Sequence, residues 1–202
     1  MLFLLSGCTV NYRLSISESG EIEEDIKFLE STSVLKTFSN SIQSDLDKEL
    51  QNVKQSGIYD SYTMDAFVED GYGIGTGKRV YSSFDNFKNN SIIVNEMFED
   101  ISIIDNGKVV SIHLKPVSNF KYFEESSMYS SLLDKVNFEI NIPYKVIDGN
   151  YDKEENGVYT WTINKGENLK GINISYSTNE NIFDPNYIIK GKKIKKIVPI
   201  KK

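Results

Sequence analysis

VNFEINIPYKV, Val136 to Val146, alternates apolar and polar side chains as far as Ile142 and breaks at Pro143. Val136, Phe138, Ile140 and Ile142 share one face, the period of a half-buried strand. A polar stretch through Asp148-Gly149-Asn150 and Asn156-Gly157 joins it to a second run, Val158 to Ile163. A further turn, Asn164-Lys165-Gly166-Glu167, leads into Leu169 to Tyr176, where Ile172, Ile174 and Tyr176 lie on one face. Strands joined this way predict an antiparallel meander. Trp161, flanked by Thr160 and Thr162 pointing the other way, reads as a large packing residue, with a ligand platform as the alternative.

Upstream, Val10, Tyr12, Leu14 and Ile16 alternate in the same way, and Glu18-Ser19-Gly20-Glu21 turns the chain into Ile22, Ile26 and Phe28, an N-terminal hairpin. Glu24 interrupts the apolar face of the second strand. Its reading is a bulge or edge position where the carboxylate reaches water; as a buried acid it has no partner visible in the sequence. From Ser33 to Lys54 the period becomes helical, with Leu35, Phe38, Ile42, Leu46, Leu50 and Val53 spaced by three or four and Gly57 as a stop. The stripe needs a sheet to cover.

The stretch DGYGIGTGKR, Asp70 to Arg79, invites a phosphate-loop reading and its spacing rejects it. A Walker loop needs Gly where Tyr72 stands and Ser or Thr where Arg79 stands, and a dinucleotide loop needs Gly at Lys78 and a helix directly afterwards. The expectation is a flexible hairpin or bulged loop, at most a rim beside a cleft. Phe84 to Phe98 suggests a short helix with Phe87, Ile93, Val94 and Met97 inside. EDISIIDNGKVVSIHLKP, Glu99 to Pro116, reads as a hairpin turning at Asn106-Gly107, by its composition a type I′ turn. His113 falls on the face opposite Ile112 and Leu114, a solvated or hydrogen-bonded strand residue, with a catalytic base or metal ligand as the alternative. Between Pro116 and Leu133 the chain is rich in aromatic residues without alternation, which fits a short amphipathic helix from about Phe123.

The N-terminus, MLFLLSGCTV, places Leu5, Ser6, Gly7 and Cys8 in the order of a lipobox, at which a prolipoprotein is acylated on cysteine and cleaved before it. The apolar run ahead of the box is shorter than a signal sequence requires. Either translation starts upstream, or Cys8 is simply a small apolar residue entering a strand. A single Cys leaves no internal disulfide, and one Cys with one His leaves no multi-residue metal site of the usual kind, so neither metal nor cofactor is expected. No apolar run approaches the roughly 18 residues that cross a bilayer, so membrane attachment rests on Cys8. The tail runs basic: Lys190, Lys192, Lys193, Lys195, Lys196, Lys201 and Lys202 follow the last acid, Asp184. Removing those seven from the 23 Lys and Arg leaves 16 against 29 Asp and Glu, a body near −13 within a chain of net −6. Such a body repels nucleic acid and anionic membranes, while the tail alone attracts anionic surfaces or folds back onto the body.

A lipobox cysteine running into a first strand, a Ser-Gly turn, a long helix, and then VNFEINIPYKV and VYTWTINKGENLKGINISYS together resemble the LppM-like lipoproteins of Gram-positive bacteria and mycobacteria. The resemblance spans most of residues 8 to 177, and Cys8, Pro143, Gly157, Trp161 and Gly166 carry it. It implies an α+β domain at the outer face of the cytoplasmic membrane, a curved antiparallel sheet with a long amphipathic helix on one face, and an apolar cleft for envelope lipids or glycolipids. Many relatives continue into a C-terminal transmembrane helix, and here Ile197, Val198 and Ile200 stand among lysines instead. The division expected is a residual signal peptide at 1–7, the domain at 8–180 and a basic tail at 181–202. Cys8 would carry a diacylglyceryl anchor, and Phe120, Tyr122, Phe123 and Tyr129 would form the lip of the cleft. An interaction or envelope-structural lipoprotein without a small ligand is the alternative. Catalysis is least favoured, because one His and one acylated Cys leave carboxylates and lysines alone to perform it.

Overall fold

The computed structural model describes residues 8–37, 40–117, 133–164 and 167–178, together with the backbone of 188–189 and 192–193. Its strands are β1 (Cys8–Ile16), β2 (Ile22–Ser31), β3 (Thr63–Glu69), β4 (Tyr72–Tyr81), β5 (Phe98–Asp105), β6 (Val109–Pro116), β7 (Leu133–Asn141), β8 (Val146–Gly149), β9 (Lys153–Glu155), β10 (Val158–Asn164) and β11 (Ile172–Ser177), with a short pair, β12 (Ile188–Ile189) and β13 (Lys192–Lys193), in the basic tail. The helices are α1 (Thr32–Leu35), α2 (Ile42–Gln55), α3 (Phe84–Asn90) and α4 (Ile92–Met97). One sheet has the order β3-β4-β2-β1-β7-β10-β9 and a second the order β5-β6-β11-β8. Inner-face residues of both form one core, with Phe138 in ring contact with Tyr12, Phe98 and Trp161.

Both α and β elements are present as expected, but the architecture differs from a single antiparallel sheet under a long helix. β1 and β7 pair in parallel, with Val10, Tyr12 and Leu14 opposite Val136, Phe138 and Ile140. These strands sit at the centre of the sheet and bury their apolar faces, the environment parallel strands require. The third strand of the expected meander, β11, leaves β10 and pairs instead with β6. Alternation buries one side of a strand equally well in either of two facing sheets, so period two does not reveal which sheet it joins.

The expected helix is broken. α1 ends at Leu35, α2 begins at Ile42, and neither contains a buried residue. The stripe Ile42, Leu46, Leu50 and Val53 is only half-buried, against the β3–β4 hairpin at the edge of the sheet. The sheet centre was not available to it, because β5, β6 and β11 already cover that ground. The glycine stretch forms a hairpin, one of the two expected forms, turning at Asp70-Gly71, but it is no bulged loop: Gly73, Gly75 and Gly77 lie within β4, fully paired to β2 and β3. The β5–β6 turn has positive φ at Gly107 but not at Asn106, whose Oδ1 instead accepts from the amides of Lys108 and Val109. The I′ pattern occurs at Asn156-Gly157, where both residues have positive φ.

Glu24 overturns its sequence reading. It lies neither in a bulge nor at an edge but in the continuous ladder between β1 and β4, fully buried on the inner face. Its Oε1 accepts hydrogen bonds from Tyr12 Oη and from Ser91 Oγ at 2.6 Å. Its Oε2 accepts from Tyr62 Oη at 2.6 Å and Tyr81 Oη at 2.5 Å. Burial and the adjacent carboxylate push all three phenols up, Tyr62 to about 12, so each remains a donor. Arg79 stacks on the rings, its guanidinium carbon 4.7 Å from the Tyr81 centroid and 5.6 Å from that of Tyr62. Ser91 also caps α4 by accepting from Val94 N, so a single carboxylate ties β1, β4, the segment before β3 and the α3–α4 junction together.

A Glu24→Gln variant keeps the shape of this residue and replaces one acceptor oxygen with a donor. Two buried hydroxyls then lose their acceptor, at about 1–3 kcal/mol each. The expected loss is about 2–6 kcal/mol in urea unfolding, a fall in melting temperature on the order of 10 °C. Full retention of stability would mean that the hydroxyls find other partners.

Candidate functional site

Paired residues in a sheet share a face, so the register sets out two rows across the inner face. Cys8, Glu30, Gly73 and Val68 form one; Val10, Phe28, Gly75 and Ala66 form the next, about 7 Å away. Along β2 the inner face begins closed at Ile22, Glu24 and Ile26 and then opens, with Phe28 45% exposed. Val68 is 43% exposed. The three glycines of β4 record the same opening. A Cβ on Gly73 would stand 2.5 Å from Leu35 Cδ1 and 3.4 Å from Leu46 Cδ1, and one on Gly77 would stand 3.1 Å from Ile26 Cγ2 and 3.9 Å from both Met64 and Tyr62. A Cβ on Gly75 would meet nothing within 4 Å. The result is a slot with a floor of Gly75 and Ala66, one wall of Leu35 and Leu46, the other of Ile26, Met64 and Tyr62, and Phe28 at its inner end.

From Phe28 the open ground continues to Glu30 and Cys8. The Cys8 side chain is half-buried against the core, and its thiol is pushed up to about 12 by burial, then by the Glu30 and Asp134 carboxylates. Burial raises the Glu30 carboxyl, with Asp134 adding to the shift, against lowering hydrogen bonds from Cys8 and Ser31. β1 begins at Cys8, so this cysteine stands at the open end of the sheet. The residues Leu5, Ser6 and Gly7, and the expected lip residues Phe120, Tyr122, Phe123 and Tyr129, lie outside the described residues. Among the described residues no helix is long and apolar enough to cross a membrane.

A second concavity, about 220 Å³, lies where the two sheets meet near Trp161, Asp152, Glu167 and Lys170. Its polar groups serve the fold. Trp161 Nε1 and Asn173 N both donate to Asn150 Oδ1, at 2.9 and 2.8 Å, and Asn150 Nδ2 donates to Gly171 O, which clasps one sheet to the other. Asp152 Oδ2 accepts from Thr162 N, and Glu167 Oε2 from Asn164 N. Trp161 is 4% exposed, a packing residue and not a platform. His113 is exposed and pairs with Asn173 Oδ1 at 2.8 Å, a strand-surface contact.

The slot escapes sequence reasoning because alternating glycines fit a flexible hairpin or bulged loop as well as a paired strand face. Its one legible signal was glycine at every second position, the mark of a strand face stripped of side chains.

No protein-family model matches the sequence, and no curated protein does. Among solved structures, the NMR structure of the folded domain of LppM from Mycobacterium tuberculosis is similar, with a TM-score of 0.51 and 16% identity over 93% of this chain and 96% of that one. The chain has an LppM-like fold, and the resemblance read from sequence holds at that level.

The raised Glu30 carboxyl gives a pH test. A carboxyl whose folded pKa lies above its unfolded value holds more protons folded than unfolded between the two, so stability falls as pH rises through that window. Glu30→Gln removes the loss: the variant should unfold at a higher temperature than the wild type at pH 7, and the gain should vanish below the carboxylate range. An equal gain at pH 3 would assign the effect to something other than Glu30 ionisation.

Proposed function

We propose that this protein is a lipid-anchored extracytoplasmic lipoprotein that binds a hydrocarbon chain of an envelope amphiphile in the slot above Gly75. The observation that carries the reading is an apolar inner face left uncovered between two covered glycines, in the row next to the lipobox cysteine. Each methylene laid on such a surface contributes up to about 0.8 kcal/mol. Phe28, Ala66 and the α2 leucine Leu46 supply the apolar contacts, and Gly75 supplies room for the chain. Cys8, acylated on sulfur, would keep the slot close to the bilayer from which its ligand comes, and two acyl chains hold a soluble domain stably where one does not.

Gly75→Leu is the decisive variant. Gly75 has no positive φ and nothing above it, so a side chain there is tolerated to within about 1 kcal/mol while filling the slot. It should abolish uptake of a fluorescent acyl probe and leave the melting temperature within a few degrees of wild type. Undiminished uptake would move the ligand elsewhere; no uptake by the wild type would favour a lipoprotein that only binds proteins.

Cys8→Ser in the full-length precursor should move the protein from the membrane pellet to the soluble fraction or medium, with its circular dichroism unchanged. A Ser variant that still pellets after a high-salt wash is held by another segment.

A further inference from the structure

Both mouths of the slot are acidic. At the β1 end stand Glu30 and Asp134, close enough to act on the Cys8 thiol and on one another. At the β3 end, Gln43 Nε2 donates to both Asp47 Oδ1 and Ala66 O, at 2.8 and 3.1 Å, which fixes a carboxylate beside the floor. Glu69 and Asp70 form the β3–β4 hairpin tip, one step beyond the Gly73 row. Lys36 after α1 and Lys48 on α2 are exposed, Lys27, Lys78 and Lys135 stand on the opposite parity of their strands, and Arg79, on the inner face one row beyond Gly77, is stacked on Tyr62 and Tyr81 and donates to Asn90 O. A chain lying in the slot therefore presents its head to carboxylates whichever way it points.

Resting on the chain-binding reading above, we infer that the slot selects a lipid with a cationic, amine-bearing head and discriminates against anionic heads. The apolar floor is indifferent to head chemistry, so selection falls to the mouths. Between exposed charges the attraction is modest and screened by salt, with a Debye length of about 10 Å at 0.1 M. Preference must therefore fade as ionic strength rises. An anionic head is disfavoured by repulsion from these carboxylates.

The test uses the full chain carrying Cys8→Ser, so that no attached lipid competes, with three ligands of one chain length: dodecylamine, dodecanol and dodecanoate, each below its micelle concentration. At low salt and pH 7 dodecylamine should bind at least tenfold more tightly than dodecanoate, with dodecanol between them, and the gap should narrow in 0.5 M salt. Glu30→Lys should close or reverse the gap, while Asp100→Asn, a carboxylate on β5 in the other sheet, should leave it unchanged. Equal binding of the three, or tighter dodecanoate, overturns the head-group inference and leaves chain binding standing. Binding by none of them overturns both. A gap that Asp100→Asn narrows as much as Glu30→Lys does is overall charge and not the slot, which also overturns the inference.

Discussion

The fold turns on one buried carboxylate. Glu24 lies between two central strands of the larger sheet, where an unpaired charge costs several kcal/mol, and four hydroxyl dipoles replace the water it has lost. Every partner comes from a different segment: β1, the run before β3, β4 and the cap of α4. None of these contacts is interchangeable with apolar packing, because each hydroxyl is also buried and requires an acceptor. The cluster thus fixes where the peripheral segments sit. Tyr62 is one of them, and its ring also forms a wall of the slot beside Gly77. The closed end of the sheet and the shape of the open end share this cause.

β4 shows how the same residue type answers three different packing demands within five positions. Gly73 is glycine because α1 and α2 approach too closely for a Cβ, and Gly77 because Ile26 presses on it. Gly75 faces no such pressure and adopts no conformation closed to other residues. A glycine in a strand interior costs about 0.5–1 kcal/mol against alanine. Nothing in the packing offsets that cost at Gly75, which is why its open floor calls for a functional reading while its neighbours call for a structural one.

Sequence patterns recovered what depends on near neighbours. The β1–β2 and β5–β6 hairpins, the strands β7 and β10, the short helices after Phe84, the packing of Trp161 and the exposure of His113 all follow from period and turn chemistry within a few residues. What was lost depends on distant partners. The parallel β1–β7 pair, the passage of β11 to the other sheet and the four hydroxyls around Glu24 join residues far apart in sequence, and no local period encodes them. Glu24 stood on the inward parity of β2 between Ile22 and Ile26, and Tyr12 on the inward parity of β1, so the burial of both was legible even though their bond was not. The α2 stripe was read correctly as amphipathic; its position at the sheet edge was decided by competition for the core, which periodicity does not measure.

The position of Cys8 sets an order of events for any anchor placed there. Thioether formation needs a thiolate, and in the folded domain burial and two carboxylates hold this thiol up near 12, where it is almost wholly protonated at neutral pH. An acylation at this atom would therefore be favoured before β1 is seated. The topology leaves time for this, since the inner flank of β1 is covered by β7, a parallel partner from the distant second half of the chain, and a lone β1–β2 hairpin is marginal in water. Once seated, the sulfur faces the same side of the sheet as Phe28 and Gly75. An anchor leaving from that atom must pass the open ground beside the slot, so attachment and ligand access would share one end of the domain.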